Sequence, residues 1–151
     1  MIFIAHRGNT KGRNLETENS PDAIIEAAKL HMVEVDVRLI GGTIVFGHDM
    51  PMDEVSYDFI YSLSQRLLIH CKNVDAVRYF MFHPEFHFFW HQNDDYTITS
   101  KGKLFTKPGS PIIDGSIVVM PEMASYTVDE LRRADAICTD KVDKYMEKIK
   151  A

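Results

Sequence analysis

Ile2–Ala5 is an apolar run with no polar alternate, so a strand there has no face to give to water. A polar loop over 9–19 follows, and then SPDAIIEAAKLH. Ser20 can cap, Pro21 suits the first helical position and Asp22 sits near the positive end of the dipole, which predicts a helix over 21–31. MVEVDVRLI then alternates strictly, with Val33, Val35, Val37 and Leu39 on one face and Glu34, Asp36 and Arg38 on the other. Buried strand, helix, strand is the repeating unit of a parallel α/β sheet.

The rest of the chain continues this pattern with one interruption. Gly41-Gly42 turns the chain and TIVFGHD returns as a hairpin arm. A short helix is expected over 53–64, a strand over 66–73 and a helix in VDAVRYFMF. GSIVVMPE at 115–122 reads as a buried strand, TVDELRRA as a helix with Thr127 and Glu130 at capping-box spacing, AICTD as a last strand and KVDKYMEKIK as a last helix. Between them, 86–107 reads as an aromatic, histidine-rich block followed by a β-hairpin turning at Ser100–Lys103. His83, His87 and His91 recur at spacing four, a metal-ligand stripe on a helix, but Pro84 and the aromatic strand pattern argue against a helix there. In a strand His87 and His91 share a side. The aromatic block reads as core and lid packing, with a stacking surface for a substrate as the alternative.

The 151 residues suit one domain spanning 1–151, and 45% apolar content is enough to bury a core. A net charge of −5 argues against a general nucleic-acid surface, although a local cationic pocket still admits an anionic substrate. Cys71 and Cys138 lie in apolar runs and no secretory leader precedes the first strand, so reduced thiols and a cytoplasmic location are expected. No apolar run reaches the length of a membrane span, so no transmembrane segment is expected.

Polar groups recur at the C-terminal ends of the expected strands: His6-Arg7, Glu34 and Asp36, His70 and Lys72, Glu122, Asp140. That edge of a parallel sheet is where sites are built. Glu34 and Asp36 are roughly 6.5–7 Å apart along one strand face, a spacing that lets both reach one hard cation. Taken alone, the pair also suits two solvated acids. His6 and His48-Asp49 are candidates for proton transfer near neutrality. Arg7 offers a planar fork for phosphate and Lys72 a point-like cation, and both also suit surface salt bridges. Glu18-Asn19 precedes the first helix, where an acid compensates the dipole.

In order, and at close to family spacing, IAHRG, ENSPDAI, VEVDVRL and GGTIVFGHD resemble the glycerophosphodiester phosphodiesterase family. The resemblance covers residues 2–50, with weaker similarity at 67–73 (LLIHCKN) and 134–143. It implies that His6 and His48 are the acid/base pair, that Arg7 and Lys72 bind the phosphate, and that Glu34, Asp36 and Glu18 serve a divalent metal, usually Mg²⁺ or Ca²⁺. It also implies a TIM barrel and a small-molecule phosphodiester substrate.

Two departures shape what is expected. Where the family's third strand usually supplies a metal-binding Glu, this chain has His70, a softer ligand, so the site is expected to favour Mn²⁺ or Zn²⁺, to hold Mg²⁺ or Ca²⁺ weakly, or to lack a metal. A (β/α)₈ barrel usually takes about 250 residues, with about 200 as its lower range, and this chain has 151. The expected fold is therefore a compact, reduced TIM-barrel-like α/β domain with helices missing and a β-hairpin insertion near 86–107. Uncovered apolar flanks would favour a homodimer. The leading functional reading is a metal-dependent phosphodiesterase acting on a glycerol- or sugar-linked diester. The alternatives are a relative that binds a phosphorylated ligand without turnover, and a related reaction such as headgroup cleavage or a lyase that stops at a cyclic phosphate.

Overall fold

The computed structural model describes residues 1–49 and 53–151. Ten strands among them form one sheet: β1 (Ile2–His6), β2 (Met32–Ile40), β3 (Thr43–Phe46), β4 (Asp53–Val55), β5 (Leu67–Cys71), β6 (His87–Trp90), β7 (Tyr96–Ile98), β8 (Leu104–Thr106), β9 (Ile117–Val119) and β10 (Ala136–Thr139). The helices are α1 (Pro21–Ala28), α2 (Tyr57–Ser62), α3 (Val74–Met81), α4 (Val128–Leu131) and α5 (Val142–Lys150). None of the described helices is long and apolar enough to cross a membrane.

The strands β6, β5, β2, β1, β10, β9 and β8 run parallel in that order, and β7 adds antiparallel to β8. β2 is long enough to serve two partners in turn. Its residues 33–37 pair with β5, and residues 37–40 pair antiparallel with β3, which carries β4. The ladder does not close. β6 and β7 meet through Ser100 N–H donating to Phe88 O at 2.7 Å and Thr97 Oγ1 donating to Trp90 O at 2.8 Å, without a ladder of their own. The mixed α/β class is as expected, and the chain makes no helix from β6 to β9 among the described residues. The antiparallel β7–β8 pair is the hairpin expected within 86–107.

Three boundaries differ from the sequence reading. α1 ends at Ala28 and continues only as hydrogen-bonded turns. The helix expected over 53–64 is β4 followed by α2, because Ser56 is extended and its hydroxyl accepts from Phe59 N–H, which starts the helix late. β9 stops at Val119 because Met120 is left-handed (φ 46°) and Pro121 follows. The Thr127–Glu130 capping box forms as expected.

The side-chain period of two sends alternate strand residues to opposite faces of the sheet. Ala5, Val33, Val35, Val37, Leu67 and Ile69 face the helices, where they meet Ile24, Ile60 and Phe80. On the other face Ile4, Leu68, Phe89, Phe105, Ile117 and Cys138 pack on one another with no helix between them. Phe89 of β6 and Phe105 of β8 bring their ring centroids to 4.1 Å, although their strands stand near opposite ends of the parallel path. Full burial of each such side chain stabilises by about 1.5–3 kcal/mol. Both cysteines are buried free thiols, and burial pushes Cys71 up to about 12.

Candidate functional site

The helix-free face changes character within one period along the strands. Two residues beyond Ile4 comes His6, beyond Met32 Glu34 and then Asp36, beyond Leu68 His70, beyond Phe89 His91, and beyond Cys138 Asp140. The apolar core on this face therefore ends in a row of ionisable groups at the C-terminal edge. Parallel register aligns them, with His6 opposite Glu34 and Asp36 opposite His70. The polar face of β2 is not a wet face: Glu34 is 1% and Asp36 0% exposed, so these are not solvated surface acids.

A tight turn after β1 delivers Arg7. Arg7 is left-handed (φ 54°) and its N–H still donates to Glu34 O at 2.9 Å. Gly8 follows at φ 81°, and a Cβ there would lie 3.1 Å from the Ala23 carbonyl carbon, so α1 can pack this close only over glycine. The Arg7 guanidinium has Nε 2.9 Å from Asp36 Oδ2 as an ion pair, without hydrogen-bond alignment, and Nη1 donating to Glu18 Oε1 at 3.1 Å.

Glu34, Asp36 and His70 each offer a ligand atom, all within 4.8 Å of one another. His70 Nδ1 lies 3.2 Å from Asp36 Oδ1 and 3.5 Å from Glu34 Oε1. His70 Nε2 is 3.2 Å from the His91 carbonyl oxygen, which can only accept, so Nε2 carries the proton and Nδ1 faces the carboxylates. Asp36 Oδ1 is buried without a hydrogen bond. An orphaned carboxylate oxygen, a second acid and an imidazole lone pair held by its far nitrogen make a donor set that fits a divalent cation. Burial works to lower the His70 pKa, but Asp36 and Glu34 outweigh it and hold the metal-free imidazole up at about 9. Burial likewise opposes the Asp36 charge, and His70, Arg7 and Asn19 hold that carboxyl well below its ordinary range.

His6 is oriented from behind. Its Nδ1 donates to Asp140 Oδ1 at 2.8 Å, leaving Nε2 facing Glu34 Oε2 at 3.8 Å. Asp140 also accepts from Asn9 Nδ2 at 2.8 Å, and its own N–H donates to Glu122 Oε1 at 3.0 Å. Burial opposes the charge of His6, but Asp140 and Glu34 raise its pKa overall. His48 follows β3, where Arg38 donates to the Gly47 carbonyl at 2.6 Å and to the His48 carbonyl. His48 Nδ1 lies 2.7 Å from Asp49 Oδ1.

A cavity of about 330 Å³ is lined by His6, Arg7, Glu34, His48 and His70, so those expected site residues come together. Two others lie apart from the cluster. Glu18 is not one of the three residues whose ligand atoms cluster; it pairs with Arg7, which also faces Asp36, and, at 3.4 Å, with Arg13. Lys72 opens onto a second cavity of about 310 Å³, which shares His48 and His70 with the first. Asn9, Asn19, Arg38 and Asp140 have roles that the sequence reading did not assign. Asp140 was visible as a strand-end acid, whereas the three others carried only loop or polar-face signals. His83 stacks on Tyr79 at 4.4 Å and His87 lies in a strand, so the spacing-four histidines form no helical stripe.

No protein-family model, curated protein or solved structure matches this chain.

Proposed function

We propose that the chain is a metal-dependent phosphodiesterase on a reduced, barrel-like sheet, acting on a small glycerol- or sugar-linked phosphodiester. One observation carries this reading. Two histidines, an arginine, and Glu34 and His70 of the donor set line one cavity at the C-terminal edge of parallel strands, with Asp36 buried beside them. The curled sheet is supported by the contact of Phe89 with Phe105 across the helix-free core.

Glu34, Asp36 and His70 would hold the cation, which when bound neutralises phosphate charge and acts as a Lewis acid. The chain's own groups do the rest. Arg7 has one edge committed to Asp36 and Glu18, so it meets phosphate with its remaining terminal nitrogen. His6 Nε2, oriented through Asp140, moves a proton at the reacting oxygen, and His48 serves the opposite oxygen. Lys72, on the adjoining cavity, contributes positive charge to the phosphate from that side.

A second reading, a ligand-binding relative without turnover, is favoured by His70 itself. A protonated imidazole 3.2 and 3.5 Å from the two carboxylates neutralises them as a cation would. Hydrolysis of bis(p-nitrophenyl) phosphate and glycerophosphodiesters across Mg²⁺, Ca²⁺, Mn²⁺, Zn²⁺ and EDTA separates the two. Metal-dependent turnover that is lost in Glu34→Ala and His6→Ala supports the enzyme. Absence of turnover from folded protein with every cation removes it.

A further inference from the structure

Three described non-glycine residues hold positive φ: Arg7, Asn19 and Met120. This conformation is costlier for any residue with a Cβ than for glycine, and β-carbon chemistry is kept there where it is used. Arg7 and Asn19 both hold Asp36 by their side chains. Met120 is the third, at the end of β9, and its side chain lines the same cavity of about 330 Å³.

Met120 is not alone on that side. Phe105, Pro108, Val119 and Met123 line the cavity with it, as do the histidines and Arg7, and Met123 is 70% exposed. The adjoining cavity is more polar in its lining, with Lys72, Gln92 and Asn93 beside Trp90 and His91. A phosphate flanked by two polyols would leave the apolar wall wet and unused. The wall also suits a flexible chain better than a ring. The Phe105 ring already packs, tilted, on Phe89 at 4.1 Å, and the two methionines are unbranched and adaptable.

We infer that the ligand is an asymmetric phosphodiester with one short, unbranched alkyl arm lying along Phe105, Met120 and Met123, the phosphate between that wall and Arg7. This rests on the phosphodiesterase reading for the phosphate and adds the chemistry of one arm.

The test is calorimetric binding of methyl, butyl and octyl phosphate to the metal-loaded protein, alongside turnover of bis(p-nitrophenyl) phosphate. Kd should fall about two- to fourfold per added methylene until the chain outruns the wall. Met123→Asp, at an exposed position that tolerates it, and Met120→Gly, which relaxes the backbone, should both flatten that series. Equal Kd for methyl and octyl phosphate overturns the inference. So does an undiminished slope in both variants, which would put the chain elsewhere, for instance in the apolar opening near Ile2, Met32 and Ile117. A flat series with active enzyme removes the alkyl arm alone. A graded series without turnover supports the arm and removes the phosphodiesterase reading.

Discussion

Asn19 and Asp36 hold each other twice: Asn19 Nδ2 donates to Asp36 Oδ2 and Asp36 N–H donates to Asn19 Oδ1, both at 3.0 Å. The amide thus fixes a buried carboxylate whose other oxygen is left for a cation. Groups that orient a metal ligand typically set affinity by about 10–100-fold. Asn19→Gly keeps the left-handed backbone and loses the amide, so it should weaken divalent-cation binding by about that factor, and Tm should fall because the buried Asp36 N–H loses its acceptor. Asn19→Ala should lose the same affinity and more Tm, because alanine is strained at φ 61°. Titration calorimetry and thermal melts of the two variants check the split, and equal cation affinity in Asn19→Gly and wild type would refute it.

In the proposed chemistry Asp140 acts through His6. Asp140→Asn keeps an acceptor for His6 Nδ1–H and loses the charge, whereas Asp140→Ala loses both. We expect kcat to fall in the order Asn, then Ala, then His6→Ala. The last should lose about 10²–10⁴-fold, the usual worth of a positioned acid–base group. A His6→Ala enzyme with full kcat takes that imidazole out of the chemistry.

In the proposed enzyme His70 should set the choice of metal. An imidazole ligand favours Mn²⁺ or Zn²⁺, and His70→Glu should shift activity toward Mg²⁺ or Ca²⁺ by at least about tenfold, as measured by metal-specific kcat/KM. In the metal-free protein the imidazole is held protonated up to about pH 9. Cation binding at pH 7 should therefore displace that proton, and affinity should rise as pH approaches 9. The heat of binding in buffers of different ionisation enthalpy reads this directly; buffer-independent heat would contradict it.

His87 lies away from the cavity of the cluster, with Nε2 2.6 Å from Thr99 Oγ1. Burial, with Lys101 and Lys103 nearby, pushes its pKa down to about 4 from an ordinary 6.5. Between those values the unfolded chain binds a proton that the folded chain does not, so stability is lost as pH falls from 6.5 toward 4. Urea midpoints at pH 7 and pH 5 should show this loss, and His87→Gln should make it smaller. An equal pH dependence in the variant would assign the loss to other groups.

What the sequence disclosed was local. Period-two alternation exposed the Glu34–Asp36 face, and Ser20-Pro21 and Thr127–Glu130 exposed helix starts, because partners within a few residues write those signals. Burial of that face needed the opposing strands, and no local pattern contains them. Asp140 and Asn9 pair across 131 residues, and His6 reaches Asp140 across 134. Asparagine reads as loop wherever its carboxylate partner is distant, which hid both Asn9 and Asn19. Glu18 was legible as an acid near the site, but not which cations would claim it. Arg38 sat on the correct face, and only the return of β3 gave its guanidinium the Gly47 and His48 carbonyls to grip.

The unladdered meeting of β6 with the β7 hairpin has a mechanical consequence. A curved sheet under load yields where its rungs are sparse, and here that line runs between Phe88–Trp90 and Thr97–Ser100. His70 anchors to His91 just past one bank, and Phe105 stands on β8 behind the other. Strain along this line would change the width of the mouth while the register that sets His6 against Glu34, on strands far from it, keeps every rung. The aperture and the chemistry are thereby built from parts of different stiffness.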